Sequence, residues 1–183
     1  MANRKIHLIG GTLFWGIFIG IFYALEKYTN LINLDITTLS GLEVHSVWIV
    51  LSFMACHFGA QLPDYDLLWE KFLPHRNVIT HSFFLPLVIS IPLFFISNMG
   101  EIVFFLVPIY AFYHIGHASH LFLDLKPKSW EGTALVHIFW INDEGRKTMP
   151  PKVSRMFLLV NGLIILAAGI ILLYFFNSWY VAP

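Results

Sequence analysis

Five apolar runs of near membrane-spanning length, with Lys and Arg almost all on one side of them, predict an all-α fold. The expected architecture is a polytopic membrane helical bundle of about five transmembrane helices with a cytoplasmic N-terminus. The composition points the same way. The 183 residues are 57% hydrophobic and only 12% charged, with mean hydropathy +0.71, a balance that a soluble domain with a solvated surface does not carry. The chain reads as one integral membrane domain over 1–183, without internal repeats or low-complexity tracts.

The runs cover about 6–25, 45–60, 78–96, 102–123 and 153–176, each near the ~20 residues that cross ~30 Å of hydrocarbon. The first follows Arg4 and Lys5 as a signal peptide would, but no small-x-small cleavage site stands behind it, so it is expected to be a retained helix. The second is short and is stopped by Pro63. The third opens at Val78 just after His75-Arg76, and its first free N–H groups offer an anion site. The fourth carries His114, His117, His120 and Asp124 along one face. Before the fifth, residues 125–152 mix Lys126, Lys128, Trp130, Glu131, His137 and Trp140, which suits a cytoplasmic segment in the headgroup region bordering a substrate access route.

With the N-terminus inside, the cytoplasmic segments hold Arg4, Lys5, Lys71, Arg76, Lys126, Lys128, Arg146, Lys147, Lys152 and Arg155, and the outside holds Lys27 alone. The formal net charge is zero and no basic cluster is interleaved with exposed aromatics, so nucleic-acid binding has no electrostatic support. A single cysteine, Cys56, excludes an intramolecular disulfide and a Cys-rich zinc site.

The same orientation gathers the ionisable residues at the inner leaflet. His7 begins the first helix, Asp64 and Asp66 follow the second, His75, Arg76 and His81 open the third, and His120 and Asp124 close the fourth. Such groups at membrane depth cost several kcal/mol unless they pair, line water or bind a metal. The outside loops hold only isolated ionisable residues, among them Asp35, Glu43, His45 and Glu101. An extended backbone after Pro63 would project Asp64 and Asp66 to the same side, and two close carboxylates repel unless a cation lies between them or one is protonated; a solvated turn is the plain alternative. On the fourth helix the alternative is a set of histidines satisfied by interhelical hydrogen bonds. Arg76 reads equally as a clamp on a phosphate or carboxylate and as a snorkelling anchor. His57 and Gln61, at i,i+4, offer a further ligand or a hydrogen bond behind one, as do His7, His114 and His117, whereas His45 and His137 read as surface residues.

The ordered set Pro63-Asp64-Tyr65-Asp66, His75-Arg76 with Thr80-His81-Ser82, and Ser119-His120 through Asp124, with an early His7, resembles the YdjM-like family of inner-membrane proteins classed as metal-dependent hydrolases. The resemblance spans about residues 6–124; the chain departs at Asn77, where the family often has Gly, and at Lys126-Pro127, where it often has Thr. It implies a multi-pass protein of a cell inner membrane whose Asp and His residues form a metal-binding and catalytic set.

The expectation is a hydrolase with one or two divalent transition-metal ions, Zn, Mn or Fe, held by Asp64, Asp66, His81, His120 and Asp124. His75, Arg76, His81 and Asp66 form the expected catalytic set, with Arg76 stabilising developing charge and His75 protonating the leaving group. Arg76, Lys126 and Lys128 would contact substrate, and a membrane lipid is both environment and expected substrate. The alternatives are a metal-ion or small-solute transporter, or a non-catalytic scaffold stapled by metal. Oligomeric state is not legible in the sequence.

Overall fold

The computed structural model describes residues 4–29, 44–69, 75–96, 101–125, 136–137 and 148–180, and among them all regular structure is helical. The helices are α1 (Arg4–Thr29), α2 (Val44–Gln61), a 3-10 helix (Leu62–Trp69), α3 (Phe84–Ile96), α4 (Glu101–Asp124) and α5 (Pro151–Tyr180). Their ends follow local chemistry. Pro63 removes a backbone N–H just past α2, and the chain tightens into 3-10 geometry. Helix α4 stops before Lys126-Pro127, because the residue ahead of a proline disfavours helical dihedrals. Helix α5 opens on Pro151, at the first-turn position where a missing N–H costs nothing.

The third apolar run departs from expectation. Its helix starts at Phe84, and residues 75–83 form a series of turns. Asn77 caps a first helical turn, its Oδ1 accepting the N–H of Ile79 at 2.9 Å and of Thr80 at 3.0 Å and its carbonyl the N–H of His81 at 3.1 Å. The ladder then breaks at Phe83, whose N–H goes to Asn161 Oδ1 at 2.9 Å, and α3 takes a second cap where Ser82 Oγ accepts the Phe84 N–H at 3.2 Å.

Helix α4 lies at the centre and packs against the other four helices. Its crossing with α2 is close because two glycines meet it: a Cβ on Gly116 would collide with the Cys56 carbonyl, and one on Gly59 with the Tyr113 carbonyl. The buried apolar residues form one cluster around Ala55, Cys56, Phe112 and Ile115, another around Leu121, Val136, Leu158 and Ile165, and a small third one at Leu93 and Val107.

Among its described residues the bundle lacks the polar exterior of a water-soluble one and holds polar groups among its buried apolar ones. Its outer faces carry hydrocarbon, including Ile9, Leu13, Ile17 and Ile21 at successive i,i+4 steps of α1, and Met156, Leu159, Leu163 and Ile170 on α5. Its interior holds His7, Ser52, Ser90, His114, His117, Ser119, His120, Asp124 and Asn161. Among the described residues one stretch, Pro151–Tyr174 of 24 residues, is long and apolar enough by itself to cross a membrane; Lys5–Ile21 and Phe84–Leu93 are shorter apolar stretches.

In the segment between α4 and α5 the structure corrects one expectation. His137 is not a remote surface residue: its N–H donates to the Arg76 carbonyl at 2.9 Å and its carbonyl accepts from Val78 N at 3.0 Å, so this strand-like contact braces the turn at 76–78. Lys126, Lys128, Trp130, Glu131 and Trp140 lie outside the described residues, as do Asp35 and Glu43.

Candidate metal centre

The 3-10 turn decides where the two aspartates go. At 3.0 residues per turn, positions i and i+2 diverge by about 120°, so Asp64 and Asp66 face different neighbours, unlike the extended pair the sequence suggested. Asp64 turns toward His7 and His120, with Oδ2 at 3.8 Å from His7 Nε2 and Oδ1 at 3.7 Å from His120 Nε2. Asp66 turns toward the 75–80 segment. Its Oδ1 bonds His75 Nδ1 at 2.7 Å, while Oδ2 accepts from the Arg76 N–H at 2.9 Å, the Thr80 hydroxyl at 2.9 Å and Asn77 Nδ2 at 3.4 Å. Burial alone would raise the Asp66 carboxyl, but the His75 bond, the nearby His81 and the Thr80 hydroxyl outweigh it and hold it below the ordinary carboxylate value. Expected as a ligand, Asp66 instead stands behind His81 and organises the turn.

The tautomers follow from these partners. His120 Nδ1 lies 2.8 Å from the Ala60 carbonyl, which can only accept, so Nδ1 carries the hydrogen and Nε2 a lone pair. That carbonyl has capacity to spare, because in the 3-10 continuation its donor would be residue 63, a proline. For His81, Nδ1 lies 2.9 Å from Thr80 Oγ1, whose hydrogen is given to the Asp66 carboxylate. Thr80 Oγ1 therefore accepts from His81 Nδ1, and His81 Nε2 also carries a lone pair.

Three acceptor atoms now face one another in a buried space. His81 Nε2 and His120 Nε2 are 3.3 Å apart, and Asp124 Oδ2 is 3.4 Å from the first and 3.5 Å from the second. Asp124 Oδ2 has no hydrogen-bond partner, and all three residues are fully buried. Mutually facing lone pairs need a cation or an added proton between them. The point equidistant from the three atoms is about 2.0 Å from each, the bond length at which Zn²⁺ takes His nitrogen and carboxylate oxygen. The residues fit a transition-metal ion.

A second group overlaps the first. His7, Asp64 and His120 also bring one ligand atom each within metal-holding reach of one another. The His7 ring stacks on His120 with centroids 3.9 Å apart, neither of its nitrogens has a hydrogen-bond partner, and its Nε2 is 3.7 Å from Asp124 Oδ1. That same Oδ1 accepts from Arg76 Nη2 at 3.1 Å. Arg76 is held in the left-handed region at φ 59°, with its N–H on Asp66, its carbonyl on His137 and its guanidinium on Asp124.

The remaining sequence candidates fall into two sets. His57 points elsewhere, bonded to the Phe53 carbonyl at 2.9 Å and to Thr12 Oγ1 at 3.0 Å. His114 bonds the Tyr110 carbonyl at 2.7 Å and approaches Ser90, and His117 is buried one turn from His120 but belongs to neither ligand group. Two contributors escaped the sequence reading: the Thr80 hydroxyl and the Ala60 carbonyl. The first was foreshadowed by a hydroxyl next to a candidate ligand, and the second by a proline three residues past a helix-end carbonyl.

No protein-family model, curated protein or solved structure matches this chain, so its functional reading rests on the side chains.

Proposed function

We propose that this chain is a multi-pass protein of a cell inner membrane, with about five spans and a cytoplasmic N-terminus, that hydrolyses a lipid phosphoester or ester at the cytoplasmic leaflet using one divalent transition-metal ion. The observation that carries the metal is the triangle of lone pairs on His81, His120 and Asp124. One ion is favoured over two, because both ligand groups share His120 and only its Nε2 is free to coordinate. The hydrocarbon outer faces of α1, α2, α3 and α5 support the membrane reading, and the ordered motif set keeps the YdjM-like family as the proposed kinship.

A bound divalent ion supplies Lewis acidity: it acidifies water and polarises the ester that is cleaved. His81, His120 and Asp124 would hold it, with Asp64 and His7 adjoining through the second ligand group. Arg76, already on Asp124, offers its remaining N–H groups to negative charge that develops beside the ion. His75, partly exposed and fixed by Asp66, is placed to protonate a leaving group. Substrate approaches past Asp64 and His75, whose side chains are each 20% exposed while those of His81, His120 and Asp124 are 0%. Lys126 and Lys128 are proposed headgroup contacts.

The scaffold reading has one observation in its favour: the His81, His120 and Asp124 side chains are fully buried, which limits the access of water to an ion held among them. Elemental analysis of detergent-purified protein should find about one transition-metal ion per chain, lost in His120→Ala and Asp64→Ala; full metal content in both variants refutes the site. A lipid panel assayed with Zn, Mn and Fe then separates the readings. Turnover that chelation and His81→Ala abolish supports the hydrolase, whereas a metal-replete protein with no product above the His81→Ala background makes it a scaffold.

A further inference from the structure

The 3-10 helix that sets Asp64 beside the metal centre turns hydrocarbon outward. At three residues per turn, positions i and i+3 eclipse, so Pro63 and Asp66 share its buried face, Asp64 and Leu67 a second, and Tyr65 and Leu68 the third. Tyr65, Leu67 and Leu68 are exposed, Leu68 to 79%, although the segment lies past the end of α2. Trp69 follows in sequence, and Tyr and Trp beside Leu are side chains of a membrane–water interface, where a ring is apolar at one end and wet at the other. This apolar rim borders the mouth of the site, because half-buried Asp64 precedes Tyr65 and eclipses Leu67.

The same end of the bundle presents cations. Lys5 on α1 and Lys152 and Arg155 on α5 are exposed, the last two interleaved with exposed Val153 and Met156. Ser154, between them, ties this turn to the mouth: its Oγ accepts the Val136 N–H at 3.1 Å, and the next residue, His137, donates to the Arg76 carbonyl. The acidic side chains described at this end, Asp64, Asp66 and Asp124, all turn toward the histidines and Arg76. Outward charge among the described residues here is therefore positive.

We propose that this end of the bundle is seated in an anionic membrane leaflet, with Tyr65, Leu67 and Leu68 among the upper acyl carbons and Lys5, Lys152 and Arg155 on lipid phosphates. Charge complementarity favours that occupant: a second copy of this chain brings, among its described residues, no exposed acid to meet the three cations. The proposal rests on the membrane reading and deepens it, because the mouth at Asp64 and His75 then opens into the headgroup layer and substrate reaches it from within the leaflet.

The test uses Leu68→Cys and Tyr65→Cys, each carrying an environment-sensitive fluorophore, in phosphatidylethanolamine/phosphatidylglycerol vesicles. Cys56 is buried, and the native chain serves as the labelling blank. Both probes should be quenched more by phosphatidylglycerol spin-labelled near its headgroup than by one labelled at mid-chain, and several-fold less by iodide than the free dye in buffer. The same dye on Leu163→Cys, from the exposed face of α5, should show the opposite depth preference. Headgroup-proximal spin-labelled phosphatidylglycerol should quench the Leu68 probe several-fold more than the matching phosphatidylcholine, and Lys152→Glu with Arg155→Glu should abolish that preference with metal content unchanged. Iodide quenching of the Leu68 probe equal to that of free dye, with the Leu163 probe in lipid, overturns the proposal and leaves the membrane reading standing; both probes in water sink the membrane reading itself. Shielding of the Leu68 probe from lipid and iodide alike, relieved by diluting the protein in lipid, makes the face a contact between copies. Equal quenching by the two lipids in the native background refutes the anionic leaflet.

Discussion

Replacing Thr80 by valine keeps a β-branched side chain and deletes one hydroxyl, which in the native protein gives its hydrogen to Asp66 and accepts one from His81 Nδ1. With the hydroxyl gone, the nearest acceptor for His81 Nδ1–H is Asp66 Oδ2 at 3.7 Å, beyond hydrogen-bond range. Nothing then holds His81 in the tautomer whose lone pair is on Nε2. Loss of a partner behind a metal-ligating histidine costs about 10–100-fold in metal affinity, or roughly 1.4–2.7 kcal/mol. Asp66 Oδ2 keeps the Arg76 N–H and Asn77 Nδ2, so the carboxylate is not stranded and the turn should persist. Titration of detergent-purified Thr80→Val with a competing chelator should show the affinity loss, and Thr80→Ser, which retains the hydroxyl, should restore most of it. Native affinity in Thr80→Val, or equal weakness in valine and serine variants, would refute the relay and the tautomer argument built on it.

The other expectations address the scaffold around the ion. Gly116→Ala puts a Cβ into the Cys56 carbonyl, so it should cost about 1–3 kcal/mol in stability and lower metal content by pulling His120 from Ala60, read by thermal denaturation and elemental analysis; an unaltered melting curve would mean the crossing is looser than described. Arg76→Ala should reduce turnover more than metal content, since Arg76 meets the far oxygen of Asp124 from the one that faces the ion; equal losses would make it structural. Reporter fusions after Asn98 and Pro183 should both report the outside, and a cytoplasmic signal at Pro183 would remove the five-span topology.

Helical class and the gathering of polar residues were legible because both depend on local pattern: long apolar runs with few helix breakers, and His or Asp at the same end of each. His120 and Asp124 could be paired from sequence because i,i+4 on a helix is fixed geometry. Asp66 could not be told from Asp64, since their divergence depends on 3-10 dihedrals after Pro63 that an extended reading places differently. The start of α3 was misplaced for a similar reason: Asn77 does cap a helical turn over Val78 and Ile79, but the Phe83 N–H that would extend it is taken by Asn161, which only the fold brings there. His137 was unreadable because its role is carried by backbone groups, and only the fold brings residue 137 against residue 76.

The shape of the polar interior bears on the choice between hydrolysis and transport. A permeation route needs polar groups from one face of the membrane to the other. Here the trail that starts at Asp64, His120 and Asp124 continues through His117 to His114 and Ser90, and then meets Leu93 and Val107, both buried, with Leu106, Tyr110 and Leu172 packed against them. Beyond that plug the described interior offers an ion no ligand. The partly exposed side chains of the centre, Asp64 and His75, belong to the 3-10 helix and the turn segment that both sit at its near end. A site that is polar, buried and open on one side suits a headgroup that enters and leaves by the same face, as the proposed hydrolysis of a membrane lipid requires.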